Sequence, residues 1–150
     1  MKKKMKVPPI KNGTVIDHIP GGQALNVLRI LQINTKIGKT VDVVMNVKSK
    51  KMDRKDIVKV EDRELKPEEV DKIALIAPNA TISIIKDKEV IDKHKVHLPK
   101  TIEGIIRCAN PNCISNVEKE PIKSKFITVS ENPPSFRCFY CERLTNDVFS

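Results

Sequence analysis

Aromatic side chains are scarce in this 150-residue chain, which has no tryptophan, one tyrosine and four phenylalanines. None of them lies in residues 1–100. Proteins that grip single-stranded nucleic acid stack bases on aromatic rings, which argues against that class for the first two-thirds of the chain and leaves open only duplex binding through phosphates. Cysteine is missing from the same stretch, and histidine is missing after His97. Apolar runs extend over only a few residues, as at 73–77, far short of the ~20 that span a bilayer, so no membrane partner is expected. The basic opening Met1-Lys2-Lys3-Lys4-Met5-Lys6 resembles the start of a secretory leader, but Val7-Pro8-Pro9 follows with no apolar stretch. Export is therefore not expected, and the expected compartment is the cytoplasm.

What is present divides sharply at about residue 100. The chain carries 28 basic and 19 acidic side chains, a net charge of +9, with 39% hydrophobic residues, a globular composition. Residues 1–100 hold 22 of the bases against 13 acids, whereas residues 101–150 hold six of each. All five aromatics and all four cysteines fall in the second part. Two domains are expected, 1–99 and 100–150, with Leu98-Pro99-Lys100 as the linker.

In the first part, β-branched 13–20, bounded by glycine and proline, predicts a strand. Residues 23–33 place Leu25, Leu28 and Leu31 with Val27 and Ile30 at helical spacing, predicting one broad apolar face. Alternation predicts strands over 40–47 and 55–60, the latter with Val58 and Val60 on one face and Lys55, Ile57 and Lys59 on the other. Pro67-Glu68-Glu69 predicts a helix start, and Pro78 its end. Strands over 81–86 and 89–96 would form a hairpin across Asp87-Lys88. This order predicts an α+β domain of ferredoxin-like character, an antiparallel sheet with two helices on one face.

The second part contains Cys108-x4-Cys113 and, 24 residues later, Cys138-x2-Cys141. Two close thiol pairs on tight turns can converge on one Zn²⁺ at about 2.3 Å each. About 50 residues bury too little apolar surface to hold a fold unaided, so a metal clip suits this segment. Four protein ligands leave no open coordination position, which predicts a structural ion. The alternatives are two disulfides, disfavoured in a reducing compartment, four unrelated thiols, or iron in the same cage. The expected architecture is a small antiparallel β-domain with Phe126, Phe136 and Phe139 as its core.

A domain of charge +9 first suggests nucleic acid, and a zinc ribbon of the translation-factor type is the alternative reading of the chain. The neutral balance of residues 101–150 counts against it, and a lysine-rich, glutamine-poor composition also fits a thermophile's solvated surface. Ile37-Gly38-Lys39-Thr40 ends like a phosphate-binding loop, but Ile33 stands where the first glycine is required and the helix precedes the strand. Lys55 and Lys59 lie four apart on one strand, with Lys93 and Asp17-His18 on two others. If these strands are neighbours, the lysines surround a patch able to hold a polyphosphate; otherwise they only keep an edge soluble. Asp17 and His18 are adjacent in a predicted strand and should point to opposite faces, so no catalytic dyad is expected. No nucleophile with a base is evident, and an enzyme is not expected.

Taken together, Gly13-Thr14-Val15-Ile16-Asp17-His18-Ile19-Pro20, Arg54-Lys55-Asp56 with Lys59, Ala77-Pro78 with Ala80-Thr81, Asn112-Cys113-Ile114-Ser115 after Cys108, and Cys138 with Tyr140-Cys141 resemble the regulatory chain of aspartate carbamoyltransferase, of archaeal or thermophilic type. The resemblance implies an allosteric domain over 1–99 that binds nucleoside triphosphates. It implies a domain over 100–150, with one structural Zn²⁺ on Cys108, Cys113, Cys138 and Cys141, that docks on the catalytic chain. Regulatory homodimers would bridge catalytic trimers in pyrimidine biosynthesis, with CTP inhibiting, UTP reinforcing and ATP opposing. By position, the resemblance assigns nucleotide contacts to Asp17, His18, Lys55, Lys59 and Lys93. It assigns the pocket lining to Pro9, Ile10, Val15, Ile57, Ser83, Ile85 and Val90. Lys88 stands where better-known members carry an aromatic, and Ser83 where they carry an amide; both departures concern the base more than the phosphates.

Overall fold

The computed structural model describes residues 10–33, 38–117, 122–131 and 134–145. The chain separates into two compact units, with the boundary between Val96 and His97. The first unit runs β1 (Gly13–Pro20), α1 (Ala24–Ile30), β2 (Val41–Lys48), β3 (Arg54–Glu61), α2 (Pro67–Ala74), β4 (Thr81–Lys86) and β5 (Glu89–Lys95). Its sheet has the order β2-β3-β1-β4-β5, every neighbouring pair antiparallel. The first four strands with α1 and α2 form the interleaved split β-α-β arrangement of a ferredoxin-like sandwich, and β5 extends it by a hairpin. Asp87 and Lys88 both adopt positive φ, which is what a two-residue turn between twisted strands demands.

One face of the sheet is dry and belongs to the core. Thr14 and Ile16 of β1 face Val60 and Val58 of β3 on one side and Ile84 and Ile82 of β4 on the other. Val58, Val60, Ile16 and Ile82 are buried with Val27 and Leu31 of the α1 segment and Ile73 to Ala77 of the α2 segment. Glu69 shapes the start of α2: its carboxylate accepts the Lys66 backbone N–H at 3.0 Å and pairs with Arg63 at 2.6 Å.

The first helix differs from the periodicity reading. It covers seven residues, and Leu25 is 60% exposed, so the buried stripe is Ala24, Val27 and Leu31 instead of the broad leucine face. Gln32, at φ 56°, ends it: Gln32 donates its N–H to Arg29 O and Ile33 donates to Leu28 O, a Schellman closure built without glycine.

The second unit carries a four-stranded antiparallel sheet, β6 (Thr101–Glu103), β7 (Lys125–Glu131), β8 (Pro134–Cys138) and β9 (Leu144–Thr145), in that order. Phe126 and Phe136 are buried with Ile102 and Ile106. Phe139 is not core: it is 50% exposed on the turn after β8, with the Lys125 ammonium 4.5 Å over its ring. Phe149 lies outside the described residues. Among the described residues no helix is long and apolar enough to cross a membrane.

Gly13 marks the tightest backbone approach. At φ 143° a Cβ there would stand 2.1 Å from the Val60 carbonyl oxygen. Gly13→Ala is expected to lower stability by roughly 2–4 kcal/mol in denaturant melts. Gly22→Ala, at φ 93° but in open space, should lose only about 1 kcal/mol from backbone strain. Equal midpoints for the two variants would contradict this packing.

Candidate metal centre and anion-binding face

Two turns build the thiol cluster. In the first, Cys113 donates its backbone N–H to Asn110 O, and Asn116 Nδ2 donates to the carbonyls of Cys108 at 2.9 Å and Asn110 at 2.7 Å. In the second, at the end of β8, Glu142 takes positive φ and donates its N–H to Cys138 O, while Cys138 donates to Arg143 O. These turns set Cys108 Sγ 3.5 Å from Cys141 Sγ and Cys113 Sγ 3.7 Å from Cys138 Sγ, with all four sulfurs within 4.8 Å of one another. The close pairs are far longer than an S–S bond of about 2.05 Å, so the thiols are free. A tetrahedral ion at about 2.3 Å from each sulfur requires S···S separations of roughly 3.8 Å, and the cluster fits.

The thiols do not titrate alike. Burial pushes Cys108 up to about 12. The Arg143 backbone N–H, against a smaller effect of burial, brings Cys141 down to about 7. For Cys113 burial is outweighed by bonds from the Ser115 hydroxyl and backbone and from neighbouring thiols, so its pKa is lowered. Burial leaves Cys138 raised. Four thiolates this close and this buried cannot coexist without a cation, so the donor set is a metal site with no position left for a substrate.

In the first unit the sheet face opposite the helices collects the other candidate residues. Lys59 of β3 faces Val15 of β1, Val15 faces Ser83 of β4, and Ser83 faces Lys93 of β5. This single row spans three strand spacings, about 14 Å from Lys59 to Lys93. The next row joins Gly13, Ile85 and Val90, with Ile10 packed beside Gly13. Val90 is 57% exposed, and Ile57 lies on the same face opposite Val44. Pro9 and the arm 1–6 lie outside the described residues.

Asp17 and His18 overturn the simple alternation. β1 gains one residue against β3 between Ile16 and Ile19, and His18 sits there at φ 61°. The bulge lets both side chains reach one face: Asp17 pairs with Lys55 at 3.0 Å, and His18 Nδ1 lies 3.1 Å from Thr81 Oγ1. Burial first, opposed by Asp17 and reinforced by Lys55, Lys51 and Lys93, holds His18 below its ordinary 6.5. Around His18 a cavity of about 240 Å³ is lined by Lys51, Met52, Asn79 and Lys95. The sequence reading missed these four, although Lys95 repeats the strand period of Lys93 and could have been found. The arrangement can hold a multiply charged anion, with an apolar floor of Val15, Ile85 and Ile57 beside it.

Comparison with known proteins finds two family models, end to end. Residues 5–97 match "Aspartate carbamoyltransferase regulatory chain, allosteric domain", and residues 100–148 match the metal binding domain of the same chain. A curated relative from Methanothrix thermoacetophila, named aspartate carbamoyltransferase regulatory chain, is 57% identical over 143 residues, covering 95% of this chain and 92% of the relative. Relatives of the same name from Thermofilum pendens and Methanococcus aeolicus are 53% and 54% identical over 148 residues, each covering 99% of this chain and 93% of the relative.

If the thiol cluster organises the second unit, stripping its metal with a chelator should collapse the amide NMR dispersion around Phe126 and Phe136. Signals from Ile16 and Val58 should persist, because the five-stranded sheet owes nothing to the metal. A second unit that keeps its dispersion after complete stripping would end the structural role.

Proposed function

The chain belongs to the family of aspartate carbamoyltransferase regulatory chains, non-catalytic subunits with an allosteric domain followed by a metal-binding domain, and on that premise we propose that it senses nucleoside triphosphates on the helix-free face of its five-stranded sheet. The observation that carries this reading is the row Lys59, Val15, Ser83 and Lys93, with Asp17, His18 and Lys55 beside it. Lys55, Lys59 and Lys93 act as point charges for the triphosphate, and His18 adds a ring nitrogen next to them. Val15, Ile57, Ile85 and Val90 offer apolar surface to base and ribose, with Ile10 beside Gly13 at one end and Ser83 supplying a hydroxyl. CTP, UTP and ATP are the ligands this reading assigns, and the pathway is pyrimidine biosynthesis.

The second unit, in the same reading, holds one structural Zn²⁺ per chain on Cys108, Cys113, Cys138 and Cys141 and docks on the catalytic chain. Regulatory homodimers then bridge catalytic trimers in the cytoplasm. A chain of this kind does no chemistry. It shifts an equilibrium only if the nucleotide prefers one quaternary state over another. Coupling of about 1–3 kcal/mol changes catalytic-site affinity roughly 5- to 150-fold. A cluster closed by four sulfurs suits that task, since it holds a docking surface rigid without competing for substrate.

Lys59→Ala is expected to weaken CTP and ATP together by about 1.5–3 kcal/mol, roughly 10- to 150-fold, in calorimetry. Unchanged affinity for both nucleotides would sink the assigned site. Mixing the purified chain with a catalytic trimer should give, by mass measurement, an assembly larger than the trimer that disappears when zinc is chelated. No metal-dependent assembly at any mixing ratio would overturn the docking assignment.

A further inference from the structure

One buried charge in the first unit is left over by that reading. Asp56 lies on β3 between Lys55 and Ile57 but points to the opposite, dry face, where it is fully buried. Its carboxylate accepts three backbone N–H bonds: Gly22 at 2.8 Å and Ala24 at 2.9 Å on Oδ2, and Asn46 at 2.8 Å on Oδ1. Gly22 and Ala24 belong to the turn into α1, and Asn46, at φ 62°, to a bulge in β2. Among the described residues no lysine or arginine forms an ion pair with this carboxylate.

The register shows what these bonds hold. β1 gains its extra residue between the partners Ile16↔Val58 and Ile19↔Asp56. β2 gains its extra residue between the partners Val44↔Ile57 and Val47↔Lys55. Two bulges on opposite neighbours therefore open against the same short stretch of β3, and Asp56 is bonded to a residue of one and to the turn that follows the other. The β1 bulge is what brings Asp17 and His18 onto one face, where Asp17 meets Lys55.

We propose that Asp56 is a positioning residue for nucleotide binding: without touching the ligand, it pins the paired bulges that present Asp17, His18 and Lys55 together on the helix-free face. This inference rests on the nucleotide-binding reading above. The role requires a carboxylate. Three converging N–H donors need a group that only accepts, and an asparagine of the same shape would turn an N–H toward one of them.

The test measures triphosphate affinity by calorimetry on the full chain, well below each variant's melting temperature. Asp56→Asn is expected to weaken CTP and ATP about tenfold. Val58→Ala, a core truncation two residues away on the same face, should lower the melting temperature and leave affinity unchanged. In a chain already carrying His18→Ala and Lys55→Ala, Asp56→Asn should cost less than a further twofold, because the groups it positions are gone. Wild-type affinity in Asp56→Asn, equal losses in Val58→Ala, or full additivity in the triple variant would each overturn the inference. Should Asp56→Asn not fold, hydrogen exchange on the unmodified chain decides: nucleotide should slow exchange at the Gly22, Ala24 and Asn46 amides, and unaltered rates would overturn it. A wild-type chain that binds no triphosphate brings down the nucleotide reading, and this inference with it. Wild-type binding with an unaffected Asp56→Asn removes the inference alone.

Discussion

A fully buried carboxylate with no lysine or arginine paired to it among the described residues organises the first unit. Asp56 is held by three amide dipoles, two of them at the start of α1. That helix has seven residues, no acidic residue in its first turn and no side-chain cap from Gln23. A helix this short is not stable alone, and its positive end needs a negative partner. Asp56 is that partner, supplied from a strand 32 residues away in sequence. Losing an acceptor for one of these buried N–H groups costs about 1–3 kcal/mol, so the loop, the bulge and the strand stand or fall as one.

The second unit faces a different difficulty, too small a core. Among the described residues its buried apolar side chains are Leu98, Ile102, Ile106, Phe126, Phe136 and three of the four cysteines. An ion shared by the four sulfurs would tie two turns that are distant in sequence, and the free energy of that binding would be part of the folding free energy. The aromatics that would enlarge a core are partly spent outside it. Phe139 and Tyr140 project from the turn between Cys138 and Cys141, packed edge to face at 5.3 Å. Both rings are exposed, Phe139 at 50% and Tyr140 at 39%, so they are available to face another surface.

The strands and the hairpin were legible because their signals are local: β-branched alternation, a glycine before β1, and Asp87-Lys88 between β4 and β5. Once the order strand, helix, two strands, helix, two strands is read, a ferredoxin-like arrangement places β1 between β3 and β4, and Lys59, Val15 and Ser83 fall into one row. The rest depended on facts that no single-strand period carries. Gln32 closes α1 in a conformation usually left to glycine, so a run of leucines was read as one helix face. A one-residue bulge at His18 reversed the expectation that neighbours in a strand diverge. Asp56 read as part of a charged motif beside Lys55, whereas its alternation with Val58 and Val60 was the signal of burial.

Charge and selectivity separate on the helix-free face. If this face binds nucleoside triphosphates as proposed, the lysines recognise only what CTP, UTP and ATP have in common, since a point charge reads a triphosphate and not a base. Discrimination must then come from the remaining lining, which is Val15, Ile57, Ile85 and Val90 with the single hydroxyl of Ser83. Apolar contact distinguishes a purine from a pyrimidine by area alone, worth about 25 cal/mol per Å². Hydrogen bonds that would tell cytosine from uracil then have to come from the Ser83 hydroxyl or from backbone along β5, the last strand of the sheet, since β4 is paired on both sides. The positions of such groups follow the register of the sheet. On the proposed reading, such a surface draws its affinity for a triphosphate from the lysines and leaves any discrimination among bases to the lining, so the two can be altered separately.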